Sequence, residues 1–355
     1  MKKQVTFFLA LSASFCFSQT INFADSQFKS KLLQITSANV STANMYAEDL
    51  VGNSITVDAN GDGEIQVSEA QNIKILKITS PSSTLQLSNV GEISYFSNLK
   101  ELNFSKNNLS AIDLIGLNFL ENINLTENKI ASINVSHLTN LKSLIIQYNL
   151  LTSLDVSNKT GLTLLFCDYN PLTNLNLTNT TALESLSCTA TSLVAIDMSD
   201  SPIRIFVCNF NSMLESLNIN NGTITTSNDI WYFNGNPNIA KICADAQEIP
   251  WLESFLISKG YNGVNVSNCT SLNSEDIINQ NIKIYPNPVS EFLFLNNAKS
   301  NINKVQVLSF DGKLVYEESA HSKELKVNFN KFGPGVYLVR VYSDKEIISK
   351  KIIKK

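Results

Sequence analysis

Residues 99–109 read LKELNFSKNNL, and the phrase returns as LENINLTENKI from Leu120, LKSLIIQYNLL from Leu141, LTLLFCDYNPL from Leu162, LESLSCTATSL from Leu183 and IRIFVCNFNSM from Ile203. The intervals are 21, 21, 21, 21 and 20 residues. A short coil cannot bury its own apolar edge, but a stack of such coils can, so a fixed period of this size points to a solenoid. The pattern predicts a short strand in each copy, with Leu102, Ile123, Leu144, Leu165, Leu186 and Phe206 turned into a shared core. Asn107, Asn128, Asn149, Asn170 and Asn211 recur where each coil turns, and their amides can satisfy backbone groups there. Thr191 stands in that place in the fifth copy, where the expected ladder is broken and loosened. A seventh, irregular turn contains WYFNGNPN, starting at Trp231.

The other half of the coil also repeats, as LTSLDVSN from Leu151, LTNLNLTN from Leu172 and LVAIDMSD from Leu193. That spacing leaves no room for a full helix and predicts extended or single-turn structure on the convex side. The pattern L-x-x-L-x-L/C-x-x-N-x-L resembles the leucine-rich repeat family. Cys167, Cys188 and Cys208 occupy one repeat position in successive coils, where a free thiol acts as a small apolar side chain. Cys243 and Cys269 flank a predicted helix from Ala246 to Lys259, and in an exported chain they read as a C-terminal cap closed by one disulfide.

Export is expected from the start of the chain. MKKQVTFFLALSASFCFSQ has a basic opening, an apolar stretch too short to span a bilayer, and small residues before Gln19, as a cleaved signal peptide requires. No later run predicts a transmembrane span. From Asn281 onward 13 Lys and Arg stand against 7 Asp and Glu. The stretch from Gln19 to Gln280 therefore carries −12 within a chain of net −4. An acidic body with a basic tail speaks against nucleic acid as a partner.

Residues 58–69, DANGDGEIQVSE, set Asp58, Asn60 and Asp62 at positions 1, 3 and 5 of a twelve-residue loop. Gly63 makes the turn at 6, Glu64 offers its carbonyl at 7, Gln66 stands at 9, and Glu69 closes at 12. The loop resembles an EF-hand or dockerin-type calcium loop. It predicts a structural Ca²⁺ that steadies the N-terminal cap, beside an amphipathic helix around Asp25 to Gln34. A lone loop has no partner loop to open against, which argues against a sensor.

After Thr270 the period is gone. SLNSEDIINQ reads as a linker, and strands are predicted at Lys304 to Phe310, Lys313 to Glu317, Glu324 to Phe329, Val336 to Tyr342 and Ile347 to Ile353, with a hairpin turn at Asp311-Gly312. YPNPVS (Tyr285 to Ser290), VLSFDGKLVYE, FGPGVYLVRV and the final KKIIKK look like the type IX (Por) secretion sorting domain of Bacteroidetes. The resemblance implies recognition by the type IX machinery, passage through the periplasm, removal of the tail, and a secreted or surface-attached product. The loop at 58–69 followed by such repeats also resembles leucine-rich repeat surface proteins of that phylum.

The expected chain is mainly β. It has a signal peptide (1–18), a small helical N-terminal cap (19–80), a leucine-rich repeat solenoid (81–240), a C-terminal cap (241–269), a linker (270–280) and an Ig-like antiparallel β-sandwich (281–355). With His137 and His321 the only histidines, nucleophile–base catalysis has little support, and no catalytic residue is assigned. Strand residues facing away from the core change from polar (Asn103, Ser105, Asn124, Thr126) to largely apolar: Ile145, Tyr148, Leu164, Phe166, Asp168 and Tyr169, then Ile205, Val207, Phe210 and Tyr232. That strip predicts a binding face for a protein or a glycan, with Asp168 as acceptor for sugar hydroxyls. A structural surface spacer without a ligand is the alternative, and a glycan-active enzyme is a remote one.

Overall fold

The computed structural model describes residues 19–39, 44–80, 86–224, 229–269, 282–297, 300–309, 313–344 and 347–355. The leader, the linker and the Asp311-Gly312 turn lie outside the described residues. The chain divides into two compact units, Met1–Cys269 and Thr270–Lys355.

In the first unit the repeat becomes a coil with one short strand on a main sheet and, from the third coil onward, a second strand on its other half. One strand of each coil joins a nine-stranded sheet. This sheet starts with β1 (Met45–Asp49) antiparallel to β2 (Ile73–Ile78), then adds in parallel β3 (Glu101–Asn103), β4 (Asn122–Asn124) and β5 (Ser143–Ile145). The other half of a coil first forms a strand at β6 (Ser153–Asp155), and the nine-stranded sheet continues with β7 (Leu164–Phe166). Next come β8 (Asn174–Asn176) beside β6, β9 (Ser185–Ser187) beside β7, and β10 (Ala195–Asp197). β11 (Ile205–Val207) and β13 (Ile230–Tyr232) complete the nine-stranded sheet, while β12 (Ser216–Asn218), β14 (Lys241–Cys243) and β15 (Asn265–Ser267) follow β10 in a second parallel sheet. The sheet begins a coil earlier than the repeats do. Leu76 of β2 pairs with Leu102 of β3, so the segment expected to act only as a cap already supplies two strands.

The central residue of each main strand is buried, from Leu76 and Leu102 through Phe206 to Trp231. Cys167, Cys188 and Cys208 lie in the same core as free thiols. Burial pushes the Cys167 thiol well up; at Cys188 a hydrogen bond with Cys208 acts first and burial second. Such thiols are inert filling.

The turns are held by amides that reach across coils. Asn149 Nδ2 donates to the carbonyl of Leu125 in the preceding coil at 2.9 Å, and its Oδ1 accepts from Ile130 N at 2.9 Å. Asn107, Asn128 and Asn170 repeat this arrangement, and Asn236 extends it beyond the expected set. Thr191 does not loosen the stack: it is buried, and its N–H and hydroxyl both donate to Asn211 Oδ1 at 2.7 Å.

Both ends are closed by aromatic caps. Helix α1 (Ser26–Leu33) starts at Asp25, which accepts from Gln27 N with one oxygen and from Ser88 and Asn89 with the other, tying the helix to the first coil. Phe28 is fully buried between Phe23, Phe96 and Phe104. A short helix, α2 (Val67–Gln71), follows the loop at 58–69. At the far end α3 (Ile249–Ser258) begins with Pro250 in its first turn and sets Trp251 and Phe255 against Trp231. Cys243 and Cys269 are bonded there, with their Cα atoms 5.2 Å apart.

The second unit is an antiparallel sandwich. β16 (Ile282–Tyr285), β17 (Phe292–Asn297) and later β20 (Glu324–Asn328) form one sheet; β18 (Ile302–Ser309), β19 (Leu314–Ser322), β21 (Gly335–Ser343) and β22 (Ile347–Lys354) form the other. The YPNPVS turn is fastened to the last strand. Val289 is buried and donates to Ile353 O at 2.8 Å, while Asn287 Oδ1 accepts from Ile353 N at 2.9 Å.

Asn149→Ala is expected to cost about 1–3 kcal/mol in urea unfolding, because it strands buried backbone groups of two neighbouring coils. Asp25 gives a pH signature. Burial raises its pKa, but the N–H groups of Gln27, Asn89 and Ser88 and the Ser88 hydroxyl outweigh that, so its carboxyl titrates below the usual value. Its contribution is complete above the ordinary carboxylate range and is lost as pH falls through the depressed value. Asp25→Asn should lower the melting midpoint at about pH 7 and flatten the acid limb below about pH 4; parallel wild-type and variant curves down to about pH 2 would contradict this.

Candidate functional site

In most repeat strands of the nine-stranded sheet the two residues flanking the buried centre are at least partly exposed, and their character changes along the stack. Coils one and two present Glu101, Asn103, Asn122 and Asn124; the later coils present Ile145, Leu164, Phe166, Ile205, Val207, Ile230 and Tyr232, interrupted by the polar Ser143 and Ser185, while Ser187 is buried. Ile145, Leu164, Phe166 and Val207 are only half-buried, while Ile205, Ile230 and Tyr232 are exposed.

Tyr148, Tyr169 and Phe210 do not lie on the strands, as the alternation predicted. They occupy the residue just before each ladder asparagine, where the backbone turns left-handed: Lys106, Glu127, Tyr148, Tyr169, Ala190 and Phe210 have φ between 53° and 60°. Gly235 follows in the same column at φ 72°. Left-handed backbone is unfavourable for residues with a Cβ, so the amide bonds of the next residue have to hold it. That backbone directs the side chain away from the core. Tyr148 is 48% exposed, Tyr169 45% and Phe210 65%. The recurring residue before Asn, with a glycine in one copy, is the sequence signal that could have located this column.

The rings are ordered. Tyr148 and Tyr169 stack with centroids 4.3 Å apart and planes 8° from parallel. Desolvation first, then a hydrogen bond with Tyr169, raises the Tyr148 pKa, with Asp168 and Glu127 adding negative charge. In the polar coils the same column holds Lys106 and Glu127, an exposed ion pair at 3.7 Å.

Asp168 requires a correction. It is 3% exposed and is not a free acceptor for a sugar. One oxygen accepts from the Ser187 hydroxyl at 2.5 Å and from Thr189 N at 2.7 Å, and the other from Gln147 Nε2. The apolar neighbours hid this from the strand pattern, because only the fold brings Gln147, Ser187 and Thr189 around it.

The loop at 58–69 is closed by its own side chains. Asp58 accepts from the N–H groups of Gly61, Asp62 and Gly63 at 2.9–3.2 Å. Glu69 accepts from Ala59 and Asn60 with one oxygen and from Gln66 N with the other, so it also caps α2. The amides of Asn60 and Gln66 both donate to Asp62 Oδ2, at 2.9 and 2.8 Å. Positions 3, 5 and 9 therefore converge, while positions 1 and 12 are spent partly on backbone. Among the described residues no three His, Cys, Asp or Glu side chains gather as metal ligands. The donor chemistry still fits a hard cation: all six positions offer oxygen, and each carboxylate retains lone pairs beyond those its N–H partners use. Glu64 directs its carboxylate outward to Lys29 at 2.7 Å. Ile65, fully buried, anchors the loop through its carbonyl to Ile21 N.

Residues 283–355 match the family model of the secretion system C-terminal sorting domain. A tail of this kind marks the protein for export by type IX secretion to the cell surface or beyond. Among the described residues no helix is long and apolar enough to cross a membrane. No curated protein matches the chain. Among solved structures, PorZ, a surface component of the type-IX secretion system of Porphyromonas gingivalis, is 20% identical over 25% of this chain, with a TM-score of 0.19. This chain spans 13% of PorZ. The functional domain of InlJ from Listeria monocytogenes is 15% identical, over 82% of this chain and 78% of its own, at a TM-score of 0.31. The secreted internalin-like protein Lmo2445, also from Listeria monocytogenes, is 14% identical over 84% and 90%, at 0.22. At these TM-scores none of the three bears on what this chain binds.

Proposed function

We propose that this chain is an exported binding protein whose concave strip docks a macromolecular partner, protein or glycan. The observation that carries the reading is the ordered aromatic surface: a stacked Tyr148–Tyr169 pair, with Phe210 and Tyr232 further along, all outside the core on one side of the repeat. Aromatic side chains held rigid and exposed lose little entropy when a partner covers them, which is why they anchor interfaces. The tail would engage the type IX machinery during export, and the solenoid would act outside the cell.

The loop at 58–69 is read as a structural calcium site. Asp58, Asn60, Asp62, Gln66 and Glu69 would hold the ion with the carbonyl of Glu64, and the ion would supply positive charge among the carboxylates of Asp58, Asp62 and Glu69. The loop joins the Asp25 helix to the first coil, so steadying it steadies the solenoid cap.

Tyr148→Ser with Tyr169→Ser should leave the melting temperature within a degree or so, since exposed positions contribute little to stability. The same pair should cost about 2 kcal/mol or more of binding to surface material retained by the wild-type chain. Retained binding with normal melting would favour a spacer without a ligand. Phe166 is unsuitable for this test because its half-buried ring would confound stability with binding. For the loop, chelation should lower the melting temperature, and calcium at a hundred times its Kd should restore about 2.7 kcal/mol. Asp58→Ala with Glu69→Gln should remove that calcium-dependent increment. Identical wild-type curves with and without chelator would remove the calcium assignment.

A further inference from the structure

The left-handed column has a gap. Successive rungs lie about 4.8 Å apart, the spacing of parallel strands, and Tyr148 and Tyr169 fill two adjacent rungs as parallel plates. The next rung is Ala190, half-buried and too small to cover the outer face of Tyr169. The rung after it, Phe210, leans away: a Cβ on Gly235 would lie 2.7 Å from its ring, so the ring rests over the glycine rather than over Ala190. Among the described residues no other ring contacts Tyr169. The outer face of Tyr169 is therefore left open above Ala190, a slot at least one rung deep at the strand spacing, with Phe210 turned away beyond it.

The surroundings are acidic. Asp168, next to Tyr169, is held by three neutral donors, and among the described residues it forms no ion pair. Asp168 and Glu127 both act as negative charges on the neighbouring Tyr148, and the stretch from Gln19 to Gln280 carries −12 in all. The polar groups beside the slot are already engaged with one another, with Gln147, Ser187 and Thr189 all committed to Asp168, which leaves few partners for the hydroxyls of a sugar.

We propose that the slot above Ala190 receives the guanidinium of an arginine presented by a basic protein partner. This rests on the concave strip being a docking face and narrows that reading from protein or glycan to protein. A guanidinium is flat enough to stack as the missing rung and carries the charge that the neighbouring carboxylates lack. Over a tyrosine face it also gains the attraction of a cation for a π system.

The test uses the full chain and four probes: hexa-arginine, hexa-lysine, hexa-citrulline and cellohexaose. Citrulline keeps the flat shape without the charge, and lysine keeps the charge without the plane. Hexa-arginine should bind best, and Ala190→Tyr, which completes the stack with a residue the same backbone already accepts at Tyr148 and Tyr169, should weaken it about fivefold. Hexa-lysine binding should change little and the melting temperature should hold. If Ala190→Tyr fails to fold, Ala190→Lys places a cation in the slot and should weaken hexa-arginine likewise. Hexa-arginine binding unchanged in a folded Ala190 variant overturns the proposal. If cellohexaose or hexa-citrulline binds best and is lost on Tyr148→Ser with Tyr169→Ser but not on Ala190→Tyr, the docking face stands and the arginine slot falls. If no probe responds to any variant of the strip, both fall.

Discussion

A stack of coils must turn its backbone once per repeat against the coils on either side, and at that bend the peptide groups are buried without a helix or ladder to pair them. The asparagine amide solves this by donating to a carbonyl of the preceding coil and accepting from an N–H at the same time. An unpaired buried peptide group costs as much as a lost hydrogen bond, so the repeat tolerates little else at this position. Thr191 is the informative exception. It cannot reach back as an amide would, but its hydroxyl and N–H both use Asn211 of the following coil, and the stack stays closed.

The same bend explains the exposed aromatic column. Each ladder residue is preceded by one with left-handed backbone, and that conformation directs its side chain outward whatever its chemistry. Position in the repeat therefore forces Lys106 and Glu127 outward in the first coils, and Tyr148 and Tyr169 outward in the next. Stacking follows from the spacing: rungs set about 4.8 Å apart by parallel pairing place neighbouring rings at van der Waals distance. The apolar surface is thus a product of architecture and not of loose packing.

The two ends of the solenoid use different means. At the start, Asp25 and the hydrogen-bonded loop at 58–69 hold a helix whose Phe28 covers the first coil. At the finish, Trp251 and Phe255 cover Trp231, and a covalent bond fixes the last strand. The sandwich has a separate core built from Leu293, Val305, Val327 and Val339 among others. This is consistent with a tail whose folding does not depend on the solenoid.

Much was readable from the chain alone. A period of 20 to 21 residues with apolar residues at fixed offsets permits one packing, because shifting a strand by a residue would expose every Leu it buries. The coil and its buried cysteines follow from that constraint, while the helix at Pro250 and the alternating tail strands follow from their own local patterns. Other features were not readable. The first strand at Met45–Asp49 carries no copy of the repeat phrase, and Ile73–Ile78 keeps only its apolar offsets at Ile73, Leu76 and Ile78 without the asparagine that follows, so their place in the sheet comes from pairing across distant sequence. Asp168 looked exposed because alternation assigns faces but does not show which side chains of the next coil close over them. The slot above Ala190 depends on where two rings lean, and rotamers are decided by neighbours 20 or more residues away. Local periodicity determined the coil; contacts between coils decided which of its outward residues remain available to a partner.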